Sequence, residues 1–600
     1  MAQVKQDKFA PETSTAVGAA PAIARVSSGI AGDNTSKQSL AHLADSLRWV
    51  KDEVVQQYLI KASADLNKSK HDRAEKWALK ALSVDEKSGI SWHILAVCRE
   101  MAGDFVSSMN CYQAALALLP HDKDIINNLG RLASRMGDHE SAVKFFRLFV
   151  EMDPFNPSGL NNLSSALRNE SQFDEAIDVL KEGLRHNPES ALLWNGIGAV
   201  MADLGDVENA FIFFEECLRL DPKFSRARYN RGNMRLSMGD GLGALQDCDK
   251  SLSQTKPLDE ICMIRMARAG ILLNVGKLSA GWEEYETRLD PNFYDCTIYS
   301  VGNTNQWKPK AALSGKSLLI VCEQGLGDEI LYGTIIPDII QQLGPEGKLT
   351  LAVERRLVDL FQRSFPSARV GFHRTFKVNG RDIRILPFMD DDFTDIDLWT
   401  PIASLLREYR TTEDSFPNQI GYLKPDPERV AYWRDWLSGL SDKPKVGILW
   451  KSAIISAGRH RFFSPFDRWE PIIKTPGVTL VNLQYGDCDE ELTRAREEFG
   501  IEIVQPPGID LKQDLDDVTA LCAAMDLVIG FSNATFNMAA AAGVPCWLIL
   551  PPAAWTCLGT GAYPWYPQVR VFTPEEFNNW DPVMAEIAGE FAQFATNPQA

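Results

Sequence analysis

The chain has 600 residues, 45% of them hydrophobic and 24% charged, with a formal net charge of −18. It is too long for one hydrophobic core and has the composition of an ordinary globular protein. So negative a field disfavours nucleic acid and anionic membrane as partners. The eleven cysteines show no CxxC pair and no Cys/His cluster, which reads as reduced thiols in a cytoplasmic protein without structural zinc. No apolar run is long enough for a membrane span.

Residues 1–38, rich in small and hydroxyl side chains and lacking an apolar signal core, read as a disordered leader. Residues 39–295 repeat. Gly103, Gly137, Gly205 and Gly239 fall on a 34-residue grid, with Ser171 at the remaining point. Pro120, Pro154, Pro188 and Pro222 keep the same spacing, and so do Ala142, Ala176, Ala210 and Ala244. Tyr112, Phe146, Leu180 and Phe214 fill a large position, and Trp92 and Trp194 open their repeats. This pattern resembles the tetratricopeptide repeat and predicts stacked helix pairs with a concave, protein-binding groove. Asn127, Asn161 and Asn195 share one repeat position, and Asn128, Asn162 and Asn230 share the next. Asn is a poor helix former, so its recurrence needs a reason. One reason is an amide ladder that bonds the backbone of an extended partner; the other is polar bridging between repeats.

Beyond the repeats, apolar runs alternate with helical stretches: 317–322, 349–353, 383–388, 446–450, 479–483, 501–504, 527–530 and 546–550. Unbroken apolar strands between helices predict parallel sheets covered on both faces, here as two doubly wound domains, 296–420 and 421–600. Ligands in such sheets lie at the carboxyl ends of strands.

Three segments at such ends carry the candidate chemistry. In Glu323-Gln324-Gly325-Leu326-Gly327-Asp328, Gly325 and Gly327 are expected to turn the backbone tightly against a ligand. Asp328 at the next helix mouth would cap that helix or take a proton from a hydroxyl. Lys451 and Ser452, with Arg459, His460 and Arg461, make a local basic cluster that suits a phosphate or is simply a solvated loop. Ser532, Asn533, Thr535 and Asn537 open an Ala-rich helix, either a capped buried helix alone or one whose free N–H groups also hold an anion. Gln484 would line a nucleotide pocket or pack. Asp390, Asp391 and Asp392 read as a solvated loop, and no metal is assigned. Pro564-Trp565-Tyr566-Pro567 reads as packing.

Gly281-Trp282-Glu283-Glu284-Tyr285-Glu286, Trp307 and the 323–328 motif together resemble the bacterial tetratricopeptide-repeat glycosyltransferases, whose catalytic half is similar to the heptosyltransferases. The resemblance implies an all-α repeat solenoid followed by an α/β module of GT-B type. Residues 296–420 would form the acceptor side and 421–600 the nucleotide-sugar side, with Asp328 as base and no resident cofactor. The matching family motif usually carries Asp at the place of Ser532 and His at the place of Asn537, and this chain departs at both. A narrower resemblance is to flagellin glycosyltransferases, which implies a CMP-linked nonulosonic acid such as pseudaminic acid as donor. The acceptor would be Ser/Thr of flagellin held by the repeats. The alternatives are a glycan or lipopolysaccharide acceptor, or a non-catalytic scaffold with a degenerate transferase half.

Overall fold

The computed structural model describes residues 34–378, 381–389, 393–452 and 460–597. Most of the expected leader, Arg459 and the Asp390–Asp392 run lie outside them. Residues 34–38, expected in the leader, belong to a helix, Asn34–Leu66. The chain forms two compact units, one ending at Leu132 and the other beginning at Ala133.

Both units contain antiparallel helix pairs of 13 or 14 residues. The grid residues act as the spacing predicts. Ala142, Ala176, Ala210 and Ala244 are fully buried, which lets paired helices approach, and Tyr112, Phe146, Leu180 and Phe214 fill the intervening space. Trp92 and Trp194 each donate an indole N–H to a carbonyl six residues earlier, at 2.8 Å. The turn glycines all take φ between 80° and 82°. Ser171 takes the same left-handed turn at 59° with a Cβ to accommodate. Ser171→Gly is therefore expected to stabilise the protein by about 1 kcal/mol in urea melts.

Asp104 and Asp138 cap the helices that follow these turns, accepting from the backbone N–H of Ser107 and Ser141 at 3.1 and 3.0 Å. Hydrogen bonding from those serines, side chain first, holds both carboxyls below their usual range. A depressed folded value stabilises above the unfolded value of about 3.9, and the gain disappears as pH falls through the folded value. Melting temperature is expected to drop as pH is lowered from about 5 to about 3, and less steeply in Asp138→Asn.

The last repeat-like pair, Leu258–Asn274 and Leu278–Tyr285, merges with the α/β region. Trp282 is buried, donates its indole N–H to the Arg410 carbonyl at 2.8 Å, and packs edge-on against Trp555 and Trp565. The 564–567 segment thus packs as expected, and it does so against the end of the solenoid.

Thirteen strands follow among the described residues: β1 (Thr297–Tyr299), β2 (Asn305–Gln306), β3 (Ser317–Val321), β4 (Lys348–Val353), β5 (Arg369–Phe372), β6 (Arg374–Val378), β7 (Arg381–Ile385), β8 (Leu398–Pro401), β9 (Lys445–Leu449), β10 (Thr479–Asn482), β11 (Leu527–Phe531), β12 (Cys546–Ile549) and β13 (Val569–Phe572). One sheet runs β2-β8-β3-β4-β5 and another β10-β9-β11-β12-β13, every pair parallel. In the second sheet the order reverses between β9 and β11, and in the first between β3 and β8. These are the switch points where open sheets bind ligands.

Two expected strands differ. The run at 383–388 contributes β7 to a separate mixed sheet, β1-β7-β6, with β6 antiparallel. Its arginines and the wholly exposed β6 suit a half-solvated hairpin better than a covered parallel sheet. The run at 501–504 makes a single bridge, Val481 to Val504.

All eleven cysteines are free and ten are buried. Burial pushes the Cys98 thiol up to about 12 and the Cys557 thiol up to about 11, so both stay protonated near neutral pH. Among the described residues no helix is long and apolar enough to cross a membrane.

Candidate functional site

The 323–328 motif leaves the carboxyl end of β3. Glu323 is buried and accepts both Nε–H (3.0 Å) and Nη2–H (2.7 Å) from Arg288, the Tyr299 hydroxyl at 3.0 Å and the Ala403 N–H at 3.0 Å. The left-handed residue of the turn is Gln324, at φ 64°, not either glycine. Gly325 is extended and precedes the helix Leu326–Gly333. Asp328 accepts from the Gly325 N–H at 3.0 Å, so the capping role is realised. Gly327 marks a close approach. A Cβ there would lie 3.4 Å from Asn537 Nδ2 and 3.5 Å from the Ala534 backbone nitrogen, so the two helix starts meet.

The opposing helix, Ala534–Ala541, leaves the carboxyl end of β11. Asn533 caps it, accepting from the Phe536 N–H at 3.0 Å. Asn537 Nδ2 donates to the Asn533 carbonyl at 3.1 Å, while Asn533 Nδ2 and Asn537 Oδ1 are buried with no partner among the described residues. Buried polar atoms left so cost about 1–3 kcal/mol each, which a ligand between the helices would offset.

These residues border one cavity of about 1440 Å³. Leu326, Gly327 and Asp328 contribute from the first sheet; Ser452, Tyr485, Ser532, Asn533, Thr535 and Asn537 from the second. The remaining wall is solenoid, where Asn161, Asn195 and Asn230 line the same space with Tyr229 and Asn233. Asn230 donates to Asn195 Oδ1 at 3.0 Å, so these amides bridge adjacent repeats as well as facing the cavity. Within the first unit, Asn128 bonds His93 at 2.9 Å, again a bridge, and Asn127 belongs to the same helix. Asn162 is not in the cavity wall.

Several expected donor contacts are not brought together. Lys451 turns away from the cavity into an ion pair with Glu491. Gln484 is buried and accepts the backbone N–H groups of Trp450 and Lys451, both at 2.9 Å, so it clamps the end of β9 and does not line the cavity. Gly325 is likewise outside the wall. His460 opens a single 3-10 turn, His460–Phe462. Arg461 does line the cavity, with its guanidinium on the solenoid, donating to the Ala202 carbonyl. Burial lowers its pKa from the usual range and nearby Arg168 adds to that, while Asp203 opposes it.

The sequence pattern assigned nothing to Arg168, Asp203 or Tyr229, and marked Glu323 only as the first residue of its motif, with no role of its own. Only Glu323 carried a local signal, a charge within an otherwise apolar strand end.

Tetratricopeptide repeat models match residues 161–223 and 124–156. The CTR9 homolog of Arabidopsis thaliana is 27% identical over 153 residues, 25% of this chain and 14% of that protein. The solved TPR protein TTC0263 of Thermus thermophilus is 26% identical, with a TM-score of 0.28, covering 31% of this chain and 100% of that one. Protein FlbA of Caulobacter vibrioides is 45% identical over 566 residues, 94% of this chain and 94% of that protein, so the chain belongs to the FlbA family.

Proposed function

We propose that this FlbA-family chain is a protein glycosyltransferase of GT-B type, which moves a sugar from a nucleotide-activated donor to Ser or Thr of a segment held by the repeats. The observation that carries the reading is the shared cavity. Asp328, the Asn533–Asn537 helix start and the solenoid amides Asn161, Asn195 and Asn230 border one space. Donor phosphate would sit at the N–H groups opening the Ala534–Ala541 helix, which favour negative charge on the leaving group. An acceptor segment lying along the amides would present its hydroxyl to Asp328, which takes the proton as the new glycosidic bond forms. The enclosing solenoid would exclude competing water.

The acceptor and donor we assign, flagellin and a CMP-linked nonulosonic acid, rest on the resemblance of a repeat arm joined to a divergent transferase half to the flagellin glycosyltransferases. Incubating purified protein with flagellin and a CMP-activated donor tests both, read as a mass increase of the acceptor by one sugar residue. An unchanged acceptor mass with CMP-, UDP- and GDP-linked donors alike would sink the enzymatic reading. A second reading, a non-catalytic scaffold, is favoured by the Lys451–Glu491 pair, which takes the expected phosphate cation out of the cavity. It predicts flagellin capture with no mass change.

A further inference from the structure

We propose that Arg168 of the solenoid and Arg461 of the 3-10 turn His460–Phe462 form an anion subsite in the cavity, where they bind an oxyanion of the small-molecule ligand. This rests on reading the cavity as a donor site. The cavity wall carries four arginines, Arg168, Arg226, Arg356 and Arg461. Arg226 has its own carboxylate in Glu260 at 3.5 Å, and Arg356 has Glu354 at 3.1 Å. Arg168 and Arg461 share one: Asp203, 2.7 Å from Arg168 Nε and 4.0 Å from Arg461 Nη1.

The pair therefore leaves one positive charge over, on side chains only 26% and 19% exposed, in a protein of net charge −18. Arg461 is fixed at the carboxyl end of the helix Ala191–Leu204 by its bond to Ala202, and its buried Nε has no partner among the described residues. A half-buried cation kept in excess calls for an anion, and planar guanidinium forks match carboxylate or phosphate oxygens. The consequence is that the repeats help select the donor and do not only hold the acceptor.

The test is calorimetric binding to the full chain of CMP, free N-acetylneuraminic acid and the methyl ester of that acid. Arg168→Gln is expected to weaken the oxyanion-bearing probe about tenfold, with Arg168→Lys between it and wild type. Asp203→Asn is expected to strengthen that probe, since it removes the competing carboxylate; a purely structural triad would lose affinity in both variants. Loss for the acid, with the ester binding weakly throughout, assigns a sugar carboxylate. Loss for CMP, with acid and ester alike, assigns the phosphate. If wild type binds CMP and neither Arg168→Gln nor Asp203→Asn changes any probe, or both weaken it equally, the subsite is overturned and the donor cavity stands. If wild type binds no probe, the CMP-linked donor assignment falls and the subsite with it, while the transferase reading is still decided by the mass assay with the other donors.

Discussion

Asp328→Asn is expected to lower sugar transfer by about 10²- to 10⁴-fold at an unchanged melting temperature. The amide keeps an oxygen for the Gly325 N–H, now at 3.0 Å, so the helix start persists while the proton acceptor is lost. Asp328→Ala removes both and is expected to cost about 0.5–2 kcal/mol of stability besides. The neighbouring phenols do not compete as bases. Burial, reinforced by the Asp328 charge and outweighing the opposing Arg288 guanidinium, keeps Tyr285 and Tyr332 above their ordinary range and hence neutral. Their hydroxyls pair with each other at 3.1 Å. The measurement is acceptor intact mass against time, with thermal melts of each variant. Wild-type transfer by Asp328→Asn would leave that residue a cap and nothing more.

The largest loss of stability is expected at Arg288, which closes the solenoid in the 3-10 turn Glu286–Leu289. Its guanidinium is buried, donating to Glu323 twice, to Glu286 at 2.6 Å and to Ser404 at 2.9 Å. Burial opposes its charge, but the Glu323 and Glu286 carboxylates outweigh that and hold it well above the usual range. Arg288→Met would strand Glu323 in the interior, a change that costs about 3–5 kcal/mol. Replacing both, as Arg288→Met with Glu323→Leu, is expected to recover much of it, because an apolar pair avoids the unpaired charge. Urea melts of the two single variants and the double variant measure this coupling. Because Glu323 also anchors the turn that carries Asp328, Arg288→Met is expected to reduce transfer even where it stays folded. Additive losses in the cycle would show that the pair does not act as a unit.

Much of this molecule can be read from short-range spacing. The 34-residue grid locates its turns because a left-handed φ, a fully buried Ala and a large filler recur at fixed separations, each a local steric demand. Ser171 shows that the position matters more than the residue, since it takes the glycine conformation without being one. The core strands β3, β4, β9, β11 and β12 are legible for a similar reason: burial on both faces leaves unbroken apolar runs. β2 and β8 are not legible: β2 is two polar residues, and β8 is a four-residue run that ends in Pro401. A turn at 324–328 is legible from its glycines, but the left-handed residue is Gln324, and the glycines serve the helix start and the close approach to Asn537.

The candidate site itself is a matter of tertiary structure. Lys451 and Gln484 sit where a phosphate site would want them along the chain. Whether a side chain faces a cavity or a partner depends on Glu491 and on the end of β9, which no local spacing encodes. Asn161, Asn195 and Asn230 announce a polar face by recurrence alone. That this face closes over Asp328 and Asn533 follows only from docking of the solenoid end through Trp282, and from the meeting of two helix starts about two hundred residues apart. Periodicity fixes what each segment is, because it acts over a few turns of chain. Packing between distant segments fixes what they jointly surround, because burial rewards contact whatever the separation in sequence.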